Sequence, residues 1–277
     1  MPIDIIRWVV LVVVLYSPAT GQPASNPLVQ GWTLTNGGLK HVSVGPAGVW
    51  GVNSGDRIYH KLDTYNNDGT QGANWKSVSG SLKQIDVGTN IAWGVNSGDR
   101  IYVRIGITKT KPEGCGWVNI EGSLKHVSVS KKNHVWGVNK NDNIYRRLGT
   151  SLENPEGNSW QLLDGRLKQV SVGGSGVWGV NAGDNIYYRV GTFGDPDSKG
   201  TAWRQVDGKL KYISSGDAEV WGVSSSNAIY RRIGISKANP IGTSWQRIGG
   251  SLKQVEVWTD AVWGVNNANK IYAKLDD

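Results

Sequence analysis

Lysine follows leucine at six evenly spaced places: Lys40, Lys83, Lys125, Lys168, Lys211 and Lys253. An ammonium group binds phosphate or carboxylate as a point charge, so this series is a candidate anion or lipopolysaccharide site. An acid or amide follows each lysine by 16 or 17 residues: Asp56, Asp99, Asp142, Asp184, Asn227 and Asn269. Just before that series stand Asn53, Asn96, Asn139, Asn181 and Asn266, with Ser224 in the fifth copy. Sugar hydroxyls need donors and acceptors together, and an asparagine side chain supplies both. Asn53, Asp56, Asn96, Asp99, Asn139, Asp142, Asn181, Asp184 and Asn266 are therefore candidate carbohydrate ligands. A second basic series, Lys61, Arg104, Arg147, Arg189, Arg232 and Lys274, could join them in repeated sugar or phosphate sites. The same spacing has a plainer reading. Asp or Asn in a tight turn bonds its own backbone, and a lysine beside it gains only about 0.2–1 kcal/mol from an exposed ion pair.

Trp258 stands apart from every series. It falls where the other copies carry Gly45, Gly88, Ser130, Gly173 or Gly216. An aromatic out of pattern at a strand end is a candidate for stacking on a ligand. Nothing comparable points to catalysis. The histidines, His41, His60, His126 and His134, lack metal-ligand spacing. There is no nucleophile elbow and no phosphate loop. The expectation is a binder and not an enzyme, with no resident metal or cofactor. Calcium has no clustered acidic loop to hold it, although propellers can bind it on backbone carbonyls.

The elements that must position these residues repeat every 42 or 43 residues. Trp-Gly-Val recurs at Trp50, Trp93, Trp136, Trp178, Trp221 and Trp263, and a second tryptophan precedes each by 18 or 19 residues. In one copy, Leu167–Val172, Val177–Asn181, Asn185–Val190 and Trp203–Val206 read as short strands, separated by glycine-rich or Asp-Gly turns. Four short strands in a period of this length make one blade of a β-propeller. The expected fold is all-β, with six blades of four antiparallel strands. The lone strand Trp32-Thr-Leu-Thr would close the ring against Ile271–Leu275. The glycine after each Trp-Gly-Val tryptophan is expected to let a neighbouring ring approach the backbone. The twelve repeat tryptophans are expected in the core. A propeller presents one surface feature many times, so weak copies can act together.

Residues 1–21 read as a secretory signal peptide: a short apolar run, Trp8 to Tyr16, is followed by small residues up to Gly21. Residues 22–30 are a short tail, and residues 31–277 form one propeller. The chain is expected to be secreted and not integral to a membrane. The net charge is +8, which favours anionic surfaces. Lysine and arginine are spread out, without the dense run that nucleic acid would call for. Cys115 is the single cysteine, so no internal disulfide is possible. Its thiol is either buried and inert or pairs two chains into a homodimer.

The unit Trp-x-x-(Val/Ile/Leu), Gly-x-Leu-Lys-x-(Val/Ile), Val-Trp-Gly-Val-Asn, Ile-Tyr-x-(Arg/Lys) resembles the tectonin repeat, most of all that of the fish egg lectins and tachylectin-1. The likeness covers about residues 31–277. It implies a secreted lectin of egg or plasma that binds N-acetylglucosamine-type sugars and bacterial lipopolysaccharide. It also implies a role in innate defence by agglutination or opsonisation. The single cysteine departs from the paired cysteines of the fish egg lectins. The alternative is a structural or protein-interaction propeller of the egg coat or plasma that binds no sugar.

Overall fold

In the fourth unit the chain runs as four antiparallel strands, Gln169–Gly173, Gly176–Val180, Asn185–Arg189 and Trp203–Lys209. The hairpin between the second and third strands shows why its residue types recur. Asp184 sits at φ 61°, a left-handed conformation that Asp and Asn tolerate better than other side chains. The Asn181 side-chain oxygen accepts the main-chain N–H of Gly183 at 3.0 Å and of Asn185 at 2.9 Å. The outer strand carries a bulge where the register shifts between Asn185 and Ile186.

The computed structural model describes residues 31–67, 69–259 and 261–275. The proposed signal peptide and tail lie outside the described residues. Within them, six four-stranded sheets follow one another around an axis. We number the blades from residues 41–81 (blade 1) through 84–120, 126–166, 169–209 and 212–251 to residues 254–274 (blade 6). Thr33–Thr35 pairs with Ile271–Lys274, Thr33 opposite Ala273, and completes blade 6. The inner strands of neighbouring blades contact one another all the way round, blade 6 against blade 1 included. Both the six blades and the closure expected from the repeat are present. Among the described residues, no helix is long and apolar enough to cross a membrane.

The core lies between blades. Trp50, Val52 and Ile58 of blade 1 pack on Ile85, Val87 and Ala92 of blade 2 and on Leu82 between them. Trp50, Trp93, Trp136, Trp178 and Trp263 are fully buried, and Trp221 nearly so. The glycine beside each tryptophan answers to a leucine and not to a ring: a Cβ on Gly94 would stand 2.5 Å from Leu82 Cδ1. The second tryptophan series behaves differently from the expectation. Trp32 is buried, but Trp75, Trp117, Trp160, Trp203 and Trp245 are only half-buried at blade boundaries. Each donates its indole N–H to a main-chain oxygen of the preceding blade's edge, as Trp117 does to Ser79 at 2.7 Å.

Candidate ligand-binding clefts and channel mouth

Two equivalent clefts open between blades. The first, about 260 Å³, lies between blades 1 and 2 and is lined by Ile58, Gly80, Ser81, Leu82, Asn96, Tyr102 and Trp117. The second, about 290 Å³, lies between blades 2 and 3, with Ser123, Asn139, Tyr145 and Trp160 in the matching places. Gly80, at φ 112°, belongs to the outer-strand bulge; a Cβ there would stand 3.0 Å from the Trp117 indole nitrogen. Glycine therefore lets the tryptophan close the cleft's wall. Asn96 serves two purposes. Its oxygen accepts the N–H of Gly98 at 3.0 Å and of Arg100 at 2.9 Å, which leaves its amide –NH2 as the group available to a ligand. An aromatic wall, an amide donor, a phenol and a serine hydroxyl thus meet in one shallow cleft. Such a set suits a sugar ring with an apolar face and polar edges.

The repeat sets the same residue types at other boundaries. Tyr59 and Trp75 pack on the cluster that joins blades 6 and 1. Tyr187 and Trp203 pack on the one between blades 3 and 4. Asn53, Asn181 and Asn266 make the same hairpin bonds as Asn96. The tyrosine and outer tryptophan of each cleft were not among the residues expected to bind. The signal was present as the repeated Ile-Tyr and the second tryptophan series, but a core role accounts for both patterns equally well.

The structure separates the candidate Asn and Asp residues. Asp56, Asp99, Asp142 and Asp184 do not line the clefts; each accepts an ion pair from Lys40, Lys83, Lys125 or Lys168, respectively. The Asp56 carboxyl is held below its usual range by Lys40 and then by Ser97. Lys211 and Lys253 meet Asn227 and Asn269 instead, which are neutral. Six lysines thus face four aspartates, and the excess positive charge sits on blades 5 and 6. Burial lowers the pKa of both lysines, and Lys253 also feels the charges of Lys211 and Lys40.

Just below these lysines, the channel is plugged. His41 Nε2 lies 3.1 Å from the Tyr212 hydroxyl and His126 Nε2 lies 3.4 Å from it, while Tyr212 donates to Glu256 at 2.5 Å. Gln254 binds the backbone of Val42 in the next blade through both ends of its amide. The far mouth is bounded by Gly45, Ser130, Gly173, Gly216 and Trp258. Trp258 is 8% exposed and packs with Leu39, Val42, Val44 and Ala261. That burial leaves no open ring face for a sugar, so its place out of pattern reflects closure of the channel.

The basic series of the third strand is taken up by the fold. Arg147 is buried, stacks 5.3 Å from the Trp160 ring centre, pairs with Glu121 and bonds the Glu156 main-chain oxygen at 2.8 Å. Arg104, Arg189 and Arg232 clamp the long loops in the same manner. Cys115 is exposed, which removes the buried-thiol alternative. Among the described residues, no three His, Cys, Asp or Glu side chains stand close enough together to hold a metal ion.

Comparison with known proteins places this architecture. A fish-egg lectin from Cyprinus carpio is 30% identical over 101 residues, spanning 35% of this chain and 42% of that protein. The chain thus aligns with less than half the length of that relative. Among solved structures, human WBSCR16 superposes with a TM-score of 0.55 at 10% identity, over 86% of this chain and 76% of that one. A chain of the nidogen/laminin complex does so with a TM-score of 0.55 at 12% identity, over 79% of this chain and 84% of that one. At such identities the likeness is one of fold alone. The Tectonin domain model matches residues 14–123 and 71–249, most of the chain. On the strength of that match and of the six-fold repeat, the chain belongs to the tectonin-domain family.

Proposed function

We propose that this protein is a secreted, multivalent lectin that binds N-acetylglucosamine-type sugars and bacterial lipopolysaccharide and acts in innate immune recognition by agglutination or opsonisation. The observation that carries the reading is the pair of equivalent inter-blade clefts, each with tryptophan, tyrosine, serine and asparagine. The carp relative's name, a lectin, supports it. An acetamido sugar fits the chemistry: its ring can lie on the aromatic wall while hydroxyls and amide meet the polar rim. One such cleft binds weakly. Several on a rigid ring raise the effective concentration after the first contact, which suits a repetitive cell wall. The excess charge of Lys211 and Lys253 adds attraction for the phosphates of lipopolysaccharide. The reading requires binding without bond cleavage and without a cofactor.

The test is retention of the protein on immobilised N-acetylglucosamine, followed by elution with the free sugar and then with lipopolysaccharide. Elution by the free sugar supports a lectin. Failure to bind the resin or lipopolysaccharide would overturn it and favour a protein-interaction propeller.

A further inference from the structure

The clefts proposed above carry one further feature, the charge at their rims. Ser81 lines the first cleft and stands opposite Arg57 in the strand ladder, so the two side chains share a face. Across the repeat, the Arg57 position is held by Arg100, Asn143, Asn185, Ala228 and Lys270. The Ser81 position is held by Ser123, Arg166, Lys209, Ser251 and Gly38. Where the third strand has a cation, the outer strand has serine or glycine. Where the third strand has Asn143 or Asn185, the cation comes from the outer strand, and the registers are Asn143 opposite Arg166 and Asn185 opposite Lys209. The cation changes strand and keeps its corner. Blade 5, with Ala228 opposite Ser251, has none at this pair, although its exposed Arg247 bonds the main-chain oxygens of Ile248 and Gly250 in the same bulge.

These five cations differ from the repeated cations that an acid holds. The first-strand lysines of blades 1 to 4 and the buried Arg147, Arg189 and Arg232 have acidic partners. Arg57, Arg100, Arg166, Lys209 and Lys270 are exposed, and no ion pair among the described residues includes them. Arg166 and Lys209 bond only neutral oxygens, those of Asn141 and Asn143 and those of Gly183 and Asn185. Arg166 and Lys209 thereby brace the hairpin, but at every one of these corners the charge itself stays without an acidic partner.

We infer that the two clefts, and the matching faces of the three other boundaries that carry the cation, take sugars bearing a negative group, a phosphate or a carboxylate, beside the ring. The boundary between blades 5 and 6, which lacks the paired cation, should favour the charged sugars least. This rests on the clefts being sugar sites and adds the class of sugar.

The test is calorimetric titration of the full protein with N-acetylglucosamine, N-acetylglucosamine 6-phosphate and N-acetylmuramic acid at low and high salt. The charged sugars should bind about three- to ten-fold more tightly than the neutral one at low salt, and the gap should shrink as salt screens it. The two charged probes separate phosphate from carboxylate recognition. The fivefold variant R57S/R100S/R166S/K209S/K270S should lose the gap and keep its affinity for N-acetylglucosamine. Ala228→Arg should add one site for the charged sugars. Equal binding of charged and neutral sugars by the natural chain, or a gap that survives in the fivefold variant, would overturn the inference and leave the lectin reading intact. Binding of no sugar at all would remove both.

Discussion

The indole N–H of Trp160, in blade 3, donates to the main-chain oxygen of Glu121, at the edge of blade 2, at 2.9 Å. The same ring lines the cleft at that boundary. One side chain therefore ties two blades together and forms a wall of the candidate site. Trp160→Phe keeps the ring and removes the donor. It should cost about 0.5–1.5 kcal/mol in urea unfolding, the usual net worth of one hydrogen bond, and leave sugar binding at that boundary weakened but present. Trp160→Ala should cost more and abolish that site.

Asn96 and Asn139 allow the hairpin role to be separated from the binding role. Aspartate keeps the oxygen that accepts two backbone N–H groups in each hairpin and removes the amide donor. The double variant N96D/N139D should unfold within about 0.5 kcal/mol of the natural chain, as benign surface changes do. Calorimetry with N-acetylglucosamine should show fewer bound equivalents. A stable variant with unchanged stoichiometry would argue that these two clefts hold no sugar.

At the channel mouth, Lys211→Gln with Lys253→Gln removes the two charges that meet asparagine in place of aspartate. Lys83→Gln with Lys168→Gln instead strips partners from Asp99 and Asp184. If the mouth contributes to lipopolysaccharide binding, the first pair should weaken it by about ten-fold at low salt, on the order of two lost charge contacts, with little effect on neutral sugar. The second pair should weaken it through the exposed aspartates and should also lower stability. Indistinguishable lipopolysaccharide affinities for the first pair and the natural chain would place the site elsewhere.

Acid should destabilise this propeller through its histidines. Burial pushes His60 from 6.5 down to about 4 and His126 to about 3. The folded chain holds these rings neutral, so their contribution is fully present above pH 6.5 and is lost as pH falls toward those values. His60 is fully buried with both ring nitrogens unpartnered, tilted against Trp50 at 5.0 Å. Blade 4 has Tyr188 against Trp178 at 5.2 Å in the same place, with Thr192 bonding Val177 as Thr64 bonds Val49. His60→Tyr should therefore be accommodated and should flatten the fall in melting temperature between about pH 6.5 and 4.

Glu256 acts in the opposite direction. Burial first, and then the nearby Asp86, push its carboxyl up to about 8. A raised carboxyl favours the folded state below its ordinary value of 4.5, and that favour is lost as pH rises through about 8. Glu256→Gln, which keeps the shape without the charge, should melt at a higher temperature than the natural chain at pH 9. The two should be close at pH 5. No gain at pH 9 would show that Tyr212 and Ser214, which donate to Glu256, already offset the cost of the charge.

The sequence by itself determined the blades. A 42- or 43-residue period with paired tryptophans, glycine-marked turns and alternating strands admits few packings, and the isolated strand at Thr33–Thr35 needed a partner that only Ile271–Lys274 lacked. Those are local patterns, and periodicity reads local patterns well. Only the tertiary structure decided what the repeated polar residues do. Asn96 and Asp99 are three residues apart and looked like one site. In the fold, a left-handed turn at Asp99 sends its carboxylate to Lys83 and the channel, while Asn96 lines the cleft against a tyrosine and a tryptophan of its own blade and the outer strand of the preceding one. The inner series of tryptophans is sealed in the core, whereas the outer series stands at blade edges except for Trp32, which is buried. Trp258 looked free for the same reason: a position out of pattern reveals difference, and burial at the channel mouth is visible only once the ring has closed.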